Sequence, residues 1–500
     1  MASVSSTKKV ANKGLIKTIE VKVGCNYQVE DGRLVDKVLD GNATCSIETT
    51  EKVGDFLQFA GKVNLTSVFV DSEKQLGSEK VETTFSEKVQ VGDISAFVVI
   101  PVVVSVKQRR ETSTYVDCTI TLRLEVHGVM QDSIAYVEAG DPRFVESLRE
   151  VECESLLCFN NSSFTHTEEV EASEIVDRII AHYMHYSINR VVPNGNYVAI
   201  EGEIVRDVVY LVGESVKKLQ KRSDFNQEIA LLNCTDETIL STQIYGSGES
   251  LSLSINADET KSIFAFNTNF NVSVWGFEKS KFNVLEDMYS TSKEVQINRL
   301  AFTSVSHCPS VIVNDTLNET IDMSDKKRID EIISIGSNIA VVDGLKVCDG
   351  ELTIDGFINQ KVIAKNYDND DIFMAEVEVP FNTRVNLGTD ADCSLSLPMI
   401  SAWCTSFKNK AGKELNLSYK ITVMSDITQT KVEDYISDCV ELEEKPRDLN
   451  SIVIYMPEKN ERIFEIAKKL NVAPELVLAQ NPGISDNEPI EKIVVFKSFK

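Results

Sequence analysis

Three landmarks recur three times along this chain of 500 residues, and the repetition constrains the fold more than any other feature. Each set consists of an aspartate in a Val/Ile-Asp-x-Val/Ile segment, a glycine and a phenylalanine. The three sets are Asp36, Gly61 and Phe85; Asp177, Gly202 and Phe225; and Asp330, Gly356 and Phe381. The Asp-to-Gly spacings are 25, 25 and 26, and the Gly-to-Phe spacings are 24, 23 and 25. The sequence therefore predicts a domain of roughly 120–150 residues that is present three times.

Alternating apolar and polar residues predict that each repeat is built from antiparallel strands. Near the end of each repeat, the apolar positions of one such strand are Cys118, Ile120, Leu122, Leu124 and Val126; Phe266, Phe270, Val272 and Val274; and Leu415, Leu417, Tyr419, Ile421 and Val423. This period of two, with turn residues between short segments, favours an antiparallel β-sandwich or barrel in each repeat. For the Val/Ile-Asp segments a strand is our interpretation, and a short helical turn is the alternative. The landmark glycines indicate a bulge or a close backbone approach.

The order of these patterns divides the chain into a tail, three repeats, a linker and a small module. The predicted ranges are a flexible tail at 1–15, repeats at 16–135, 136–285 and 286–438, a linker at 439–450 and a C-terminal module at 451–500. Residues 286–325 are assigned as the first strands of the third repeat.

Two segments invite a more specific interpretation. The helical spacing of Phe144, Leu148 and Val151 favours a short helix over residues 142–157. The apolar run at 96–106 favours two buried strands that meet at Pro101.

The C-terminal module differs from the repeats in both pattern and charge. Its apolar residues predict a strand at 452–455, a helix after residue 462, a second helix that begins at Pro474 and a last strand at 493–496. It holds seven Lys/Arg and seven Asp/Glu, so the net charge of −26 belongs to the first 450 residues. We therefore predict a mainly β protein: three tandem antiparallel repeats followed by a small α+β domain of βααβ order.

Composition excludes several functions. A net charge of −26 argues against nucleic acid and anionic membranes as direct ligands, because both need a basic surface. The longest apolar run, 96–106, is too short for a transmembrane segment. Eleven cysteines without CxxC pairs are interpreted as reduced thiols, which predicts a cytoplasmic protein.

No motif in the chain indicates catalysis, a metal or a cofactor. The repeated aspartates Asp36, Asp177 and Asp330 are interpreted as structural, since a catalytic acid in three copies without a partner base makes little chemical sense. His182 and His185 are not expected to form a metal pair, because on a strand they face opposite sides. The chain has neither a phosphate-binding loop nor a GxSxG segment. We predict that it is not an enzyme and that it has no cofactor or metal.

The C-terminal module resembles a LysM domain. The family pattern Tyr-x-Val-x-x-Gly-Asp-Thr-Leu-x-x-Ile-Ala lies over residues Tyr455 to Ala467, and the family's Asn-Pro corresponds to Asn481-Pro482. The hydrophobic positions agree with the pattern, whereas the loop that faces the glycan in this family departs from it. Asn460, Glu461 and Arg462 stand in place of Gly, Asp and Thr.

The three repeats resemble the SPOCS domain of sporulation and spore-coat-associated proteins. Tandem SPOCS repeats followed by one LysM domain are the arrangement of clostridial spore-coat morphogenesis proteins. This resemblance implies a cytoplasmic protein at the forespore surface, in the mother cell. It also implies binding to the sporulation morphogenetic ATPase, with the LysM-like domain as a protein-binding module. We expect this module to carry the main contact and the repeats to add self-association or a second contact.

The candidate partner-binding residues lie in two loops of the module and on its first helix. They are Lys459, Asn460, Glu461, Arg462, Ile463, Lys468, Asn481, Pro482 and Ile484. We expect Lys459, Arg462 and Lys468 to be exposed and to give a protein partner a charged rim, and Ile463 to be an apolar anchor that belongs partly to the core. The alternatives are a cell-wall glycan binder, for which the altered loop is unfavourable, and a scaffold of a structure other than a spore.

Overall fold

The protein is mainly β and forms several separate antiparallel sheets. This computed structural model describes residues 5–29, 32–308, 310–323, 327–369, 371–386, 393–395, 399–410, 413–445, 451–486 and 488–497. Among these residues no helix is long and apolar enough to cross a membrane.

The first repeat contains a three-stranded meander and a second sheet. Its strands are β1 (Ser5–Gly24), β2 (Tyr27–Gln28), β3 (Val35–Val53), β4 (Phe56–Asp71), β5 (Leu76–Gln90), β6 (Ser95–Arg110) and β7 (Tyr115–Val137). The meander has the order β3-β4-β5, and in the second sheet β7 lies between β1 and β6. Apolar side chains of both sheets meet in one core, so the two sheets pack face to face as a sandwich.

The second and third repeats have the same strand order. The second contains β8 (Val145–Glu171), β9 (Arg178–Asn194), β10 (Tyr197–Val212), β11 (Ser215–Ala230), β12 (Ile239–Ile255) and β13 (Ser262–Tyr289). The third contains β14 (Lys293–His307), β15 (Val311–Asp322), β16 (Ile329–Cys348), β17 (Glu351–Asn366), β18 (Ile372–Asn386), β19 (Cys393–Leu395), β20 (Met399–Lys410), β21 (Glu414–Ser425) and β22 (Ile427–Glu444). Their meanders are β9-β10-β11 and β16-β17-β18, and their second sheets are β8-β13-β12 and β15-β21-β20.

The predicted alternation in the last strands is confirmed. Ile120, Leu122 and Leu124 of β7 are fully buried, as are Phe270 and Val272 of β13. Each set faces the meander of its own repeat, and each repeat therefore has its own core.

The landmark glycine and phenylalanine are direct neighbours across two strands in every repeat. Gly202 of β10 lies opposite Phe225 of β11, and the strand on the other side, β9, has a bulge at this point. Gly61 with Phe85 and Gly356 with Phe381 repeat the arrangement, each beside a bulge. The aromatic ring covers the glycine, which has no side chain to compete for the space. Both expected features, a bulge and a close approach, are present.

The aspartate segments are strands or precede them directly, so the helical-turn alternative is wrong. β3 begins at Val35 and β16 at Ile329, while β9 begins directly after Asp177. The carboxylate of Asp177 accepts a hydrogen bond of 2.6 Å from the backbone N–H of Gly213. This contact holds the turn that follows β10, which fits a structural role.

Four expectations about local structure are wrong, and long-range pairing explains them. Residues 5–15 belong to β1, where Ser5 lies opposite Val137, so they are not a flexible tail. Residues 145–157 form β8 rather than a helix, because they pair with β13. β6 passes through Pro101 without a break, as an edge strand can. The linker cannot begin at 439, because β22 continues to Glu444; residues 446–450 lie outside the described residues.

The first and last strands of each repeat extend beyond the sandwich as two-stranded ribbons. β8 pairs with β13 from Val145 to Glu171, and β14 pairs with β22 in the third repeat. The three ribbons contact one another through buried residues such as Val10, Val284 and Tyr435. The repeats therefore form one body and are not independent beads on a string.

Candidate functional site

The C-terminal module contains β23 (Ser451–Tyr455), α1 (Ile463–Leu470), α2 (Pro474–Gln480) and β24 (Ile493–Lys497). The two strands pair with each other, and the two helices cover one face of this small sheet. On α1 the residues at helical spacing, Ile463, Ile466, Ala467 and Leu470, are buried. Ile463 thus lies in the module's core, where it cannot serve as an accessible anchor for a partner.

The loop before α1 is held by its own polar side chains. The carboxylate of Glu461 accepts hydrogen bonds from the Tyr455 hydroxyl (3.0 Å) and the Glu458 N–H (2.9 Å), and it pairs with Lys469 at 2.9 Å. Burial alone would raise the pKa of Glu461, but Lys469 and the hydrogen bonds outweigh it and lower that pKa. Lys459 and Asn460 are exposed at the tip of the loop.

The second predicted loop is also mainly structural. Asn481 donates to the carbonyl oxygens of Val477 and Val494 and accepts from the Val494 N–H, so it ties α2 to β24. Ile484 packs against the core and Pro482 is exposed.

Asp486 joins the two loops. It follows the second loop, and its carboxylate accepts a hydrogen bond of 2.6 Å from the backbone N–H of Ile463, at the start of α1. This hydrogen bond ties the chain that follows the second loop to the start of α1.

Two of the three basic side chains expected on a free rim contact the acidic body instead, whereas Lys459 is exposed. Arg462 pairs with Glu286 at 3.1 Å, and Lys468 pairs with Asp287 at 2.6 Å. Both acids lie near the end of β13. The hydroxyl of Tyr289, at the last position of that strand, donates to the Val472 carbonyl at 2.6 Å. This side of the module is its docking surface on the repeats.

The opposite side of the small sheet carries a surface that the sequence interpretation missed. Large apolar side chains are exposed there: Ile452 (64%), Ile454 (62%), Met456 (68%) and Phe496 (53%). Ile452 lies directly opposite Phe496 in the strand register, Ile454 follows on the same side of β23, and Met456 comes directly after the end of this strand. We call these four residues the apolar sheet face. A strand written Ile-Val-Ile-Tyr suggests burial on both sides, but here the helices cover only one side.

His182 and His185 lie on one strand, β9, and each lines a different cavity. Among the described residues no group of three or more His, Cys, Asp or Glu side chains could hold a metal ion.

Acid should destabilise the protein through His185. Burial lowers the pKa of His185 from 6.5 to about 4. Between these values the unfolded chain binds a proton that the folded chain excludes, so stability is fully present above pH 6.5 and is lost as the pH falls towards 4. The free energy of unfolding, measured with urea, should fall between about pH 7 and about pH 4.5. This fall should be roughly 2 kcal/mol larger for the wild type than for His185→Gln. If the free energies of unfolding of the two proteins change equally with pH, His185 is not the cause of the acid destabilisation.

Comparison of the chain with known protein families, with curated proteins and with solved structures finds no match.

Proposed function

We propose that this chain is a non-catalytic assembly protein of the spore coat that binds the sporulation morphogenetic ATPase at the forespore surface. The resemblance of the repeats to SPOCS domains and of the module to LysM suggests this setting. The apolar sheet face is the observation that carries the binding proposal. We assign the contact with the ATPase to this face, in place of the loop residues around Arg462.

Exposed apolar side chains on a small module favour a protein contact. Soluble proteins rarely leave several neighbouring large apolar residues uncovered unless the surface meets a partner. The aliphatic and aromatic groups of Ile452, Ile454 and Phe496 are suited to the buried centre of an interface, where charged residues are depleted.

Charge also favours the module as the contact. Residues 1–450 carry the net charge of −26, whereas the module has equal numbers of acidic and basic residues. A neutral surface can approach an acidic partner without the repulsion that the body would exert. The pairs Arg462–Glu286 and Lys468–Asp287 hold the module on the body, so its free face is presented in a fixed orientation.

Polar substitutions on the apolar sheet face should weaken binding without unfolding the module. We expect the full-length double variant Ile452→Ser/Ile454→Ser to bind the ATPase at least about tenfold more weakly, since buried anchors contribute more than about 1 kcal/mol each. The measurement is a pull-down followed by titration of the purified proteins. The matched control is Leu300→Ser/Val432→Ser, which changes two exposed apolar residues of the body.

Only the Ile452/Ile454 variant should lose affinity for the ATPase, and the control variant should bind as the wild type does. Equal weakening by both would point to a general loss of solubility, and unchanged binding by the Ile452/Ile454 variant would exclude the apolar sheet face. If full-length protein fails to bind the ATPase but is retained on peptidoglycan or chitin, the glycan-binding alternative is correct.

A further inference from the structure

A partly open cavity of about 320 Å³ lies between the three repeats. Equivalent strands of each repeat line it: β3 and β6 of the first, β9 and β12 of the second, and β16 and β20 of the third, together with parts of β7 and β21. Its volume lies within the range of small-molecule sites, which measure about 300–1,000 Å³. Because all three repeats contribute to its wall, the cavity exists only in the assembled body.

The wall combines an aliphatic part with a polar one, to which Arg123 and Glu125 belong. Val104, Ile339, Val341 and Ile400 all line the cavity, and each is only half-buried although it lies between the repeats. Apolar side chains that line a concave surface favour the burial of an aliphatic chain against them, because this removes apolar area from water.

One charged group on the wall has hydrogen-bonding capacity to spare. The Arg123 Nε donates a hydrogen bond of 2.7 Å to Glu125, whose side chain is 4% exposed. The terminal nitrogens Nη1 and Nη2 of Arg123 form no hydrogen bond with any residue that the structure describes. Two parallel N–H groups of a guanidinium match the two oxygens of a carboxylate.

We propose that the central cavity binds an amphiphile with an aliphatic chain and a single carboxylate head group, the head group seated on Arg123. The chain contacts the valine and isoleucine side chains of all three repeats. The ligand therefore stabilises the assembled body, because it binds the folded protein and not the separated repeats.

Titration of the full-length protein with octanoate tests the proposal, and octan-1-ol serves as the neutral ligand of matched chain length. By isothermal titration calorimetry, octanoate should bind saturably, and octan-1-ol at least about tenfold more weakly, because it lacks the charge-assisted pair with Arg123. Octanoate should also raise the melting temperature in proportion to its occupancy.

Two cavity-filling variants locate the site independently of the head group. Val341→Phe and Val104→Phe enlarge the wall from the third and the first repeat, and each should weaken octanoate binding by at least about tenfold. Val192→Phe, on β9 and outside the cavity lining, is the matched control and should bind as the wild type does. The proposal is overturned if octanoate does not bind saturably, if octan-1-ol binds equally well, or if both filling variants bind unchanged.

Discussion

Replacing Lys13 with methionine is expected to lower the free energy of unfolding by about 3–5 kcal/mol, because the change leaves a buried carboxylate without its counter-charge. Lys13 lies on β1 of the first repeat, and its ammonium group pairs with Asp426 of the third. The two side chains are only 3% and 5% exposed. Methionine preserves most of the side-chain volume, so the loss reports the charge and not a void.

Asp426 is a junction of all three repeats. It lies between β21 and β22, and it accepts hydrogen bonds from Ser241 of the second repeat (2.7 Å) and Ser310 of the third (2.6 Å), besides that from Lys13. Burial alone would raise the pKa of Asp426, but Lys13 and the two hydroxyl groups outweigh it and lower that pKa to about 2. The carboxylate is therefore charged in the folded protein.

Chemical unfolding of Lys13→Met at several pH values measures this effect. In the wild type, the stability from Asp426 is present above its ordinary pKa of 3.8 and is lost as the pH falls through about 2. In the variant, the hydroxyl groups oppose the effect of burial without Lys13, so the pKa of Asp426 rises and a proton can neutralise the carboxylate. The difference in unfolding free energy between variant and wild type should therefore shrink on acidification. Lys9→Met, an exposed position on the same strand, should change stability by less than about 0.5 kcal/mol. If the loss of unfolding free energy in Lys13→Met does not depend on pH, the unpaired charge is not its cause.

A second buried carboxylate joins the repeats in a similar manner. Asp40 of β3 accepts hydrogen bonds from the Tyr183 hydroxyl (2.9 Å) and from the backbone N–H of Ser337 (2.8 Å), in the second and third repeats. Nearby apolar residues of all three repeats, among them Leu39, Ile180 and Ile333, form a shared core. The body is thus stabilised by contacts between repeats as well as within them.

Local patterns in the sequence predict contacts within a repeat and fail for contacts between repeats. The alternation around Ile120 and Leu122 identifies a core strand because burial acts on every second residue. No local feature shows that residues 5–15 have a partner strand ending at Val137, more than a hundred residues away, and their polar composition resembles a tail.

The same limit applies to the candidate site. The helical spacing of Ile463, Ile466 and Leu470 places α1 and its buried side correctly. Whether Arg462 and Lys468 are free or paired depends on Glu286 and Asp287. These acids lie outside the module, so no pattern within its sequence indicates the pairing. The exposure of Ile452 and Ile454 likewise follows from the packing of both helices on the other face of the sheet, which the strand sequence does not indicate. The lining of the central cavity comes from three repeats at once, so it follows only from their packing.

Substituting the landmark Gly202 with alanine is expected to destabilise the protein by about 3 kcal/mol or more, although the change adds a single methyl group. A Cβ at this position would lie 2.5 Å from the backbone carbonyl oxygen of Ser187 and 2.5 Å from the ring of Phe225. The ring could rotate or shift, but the carbonyl belongs to the bulged neighbouring strand β9 and cannot move without disturbing the pairing. Thermal or urea unfolding of the full-length variant measures the effect.

Gly344→Ala is the matched control, because Gly344 is also a strand glycine beside a bulge, and the nearest atom to its Cβ would be 3.6 Å away, in Asp355. Alanine there should leave stability unchanged or raise it slightly, since it reduces the freedom of the unfolded chain. The double variant Gly202→Ala/Phe225→Ala separates the two contacts of the landmark. Removing the ring cannot relieve the clash with the Ser187 carbonyl, so the double variant should be less stable than Phe225→Ala alone. If the two are equally stable, the ring alone requires the glycine, and the backbone of the bulge is not the reason for its recurrence in all three repeats.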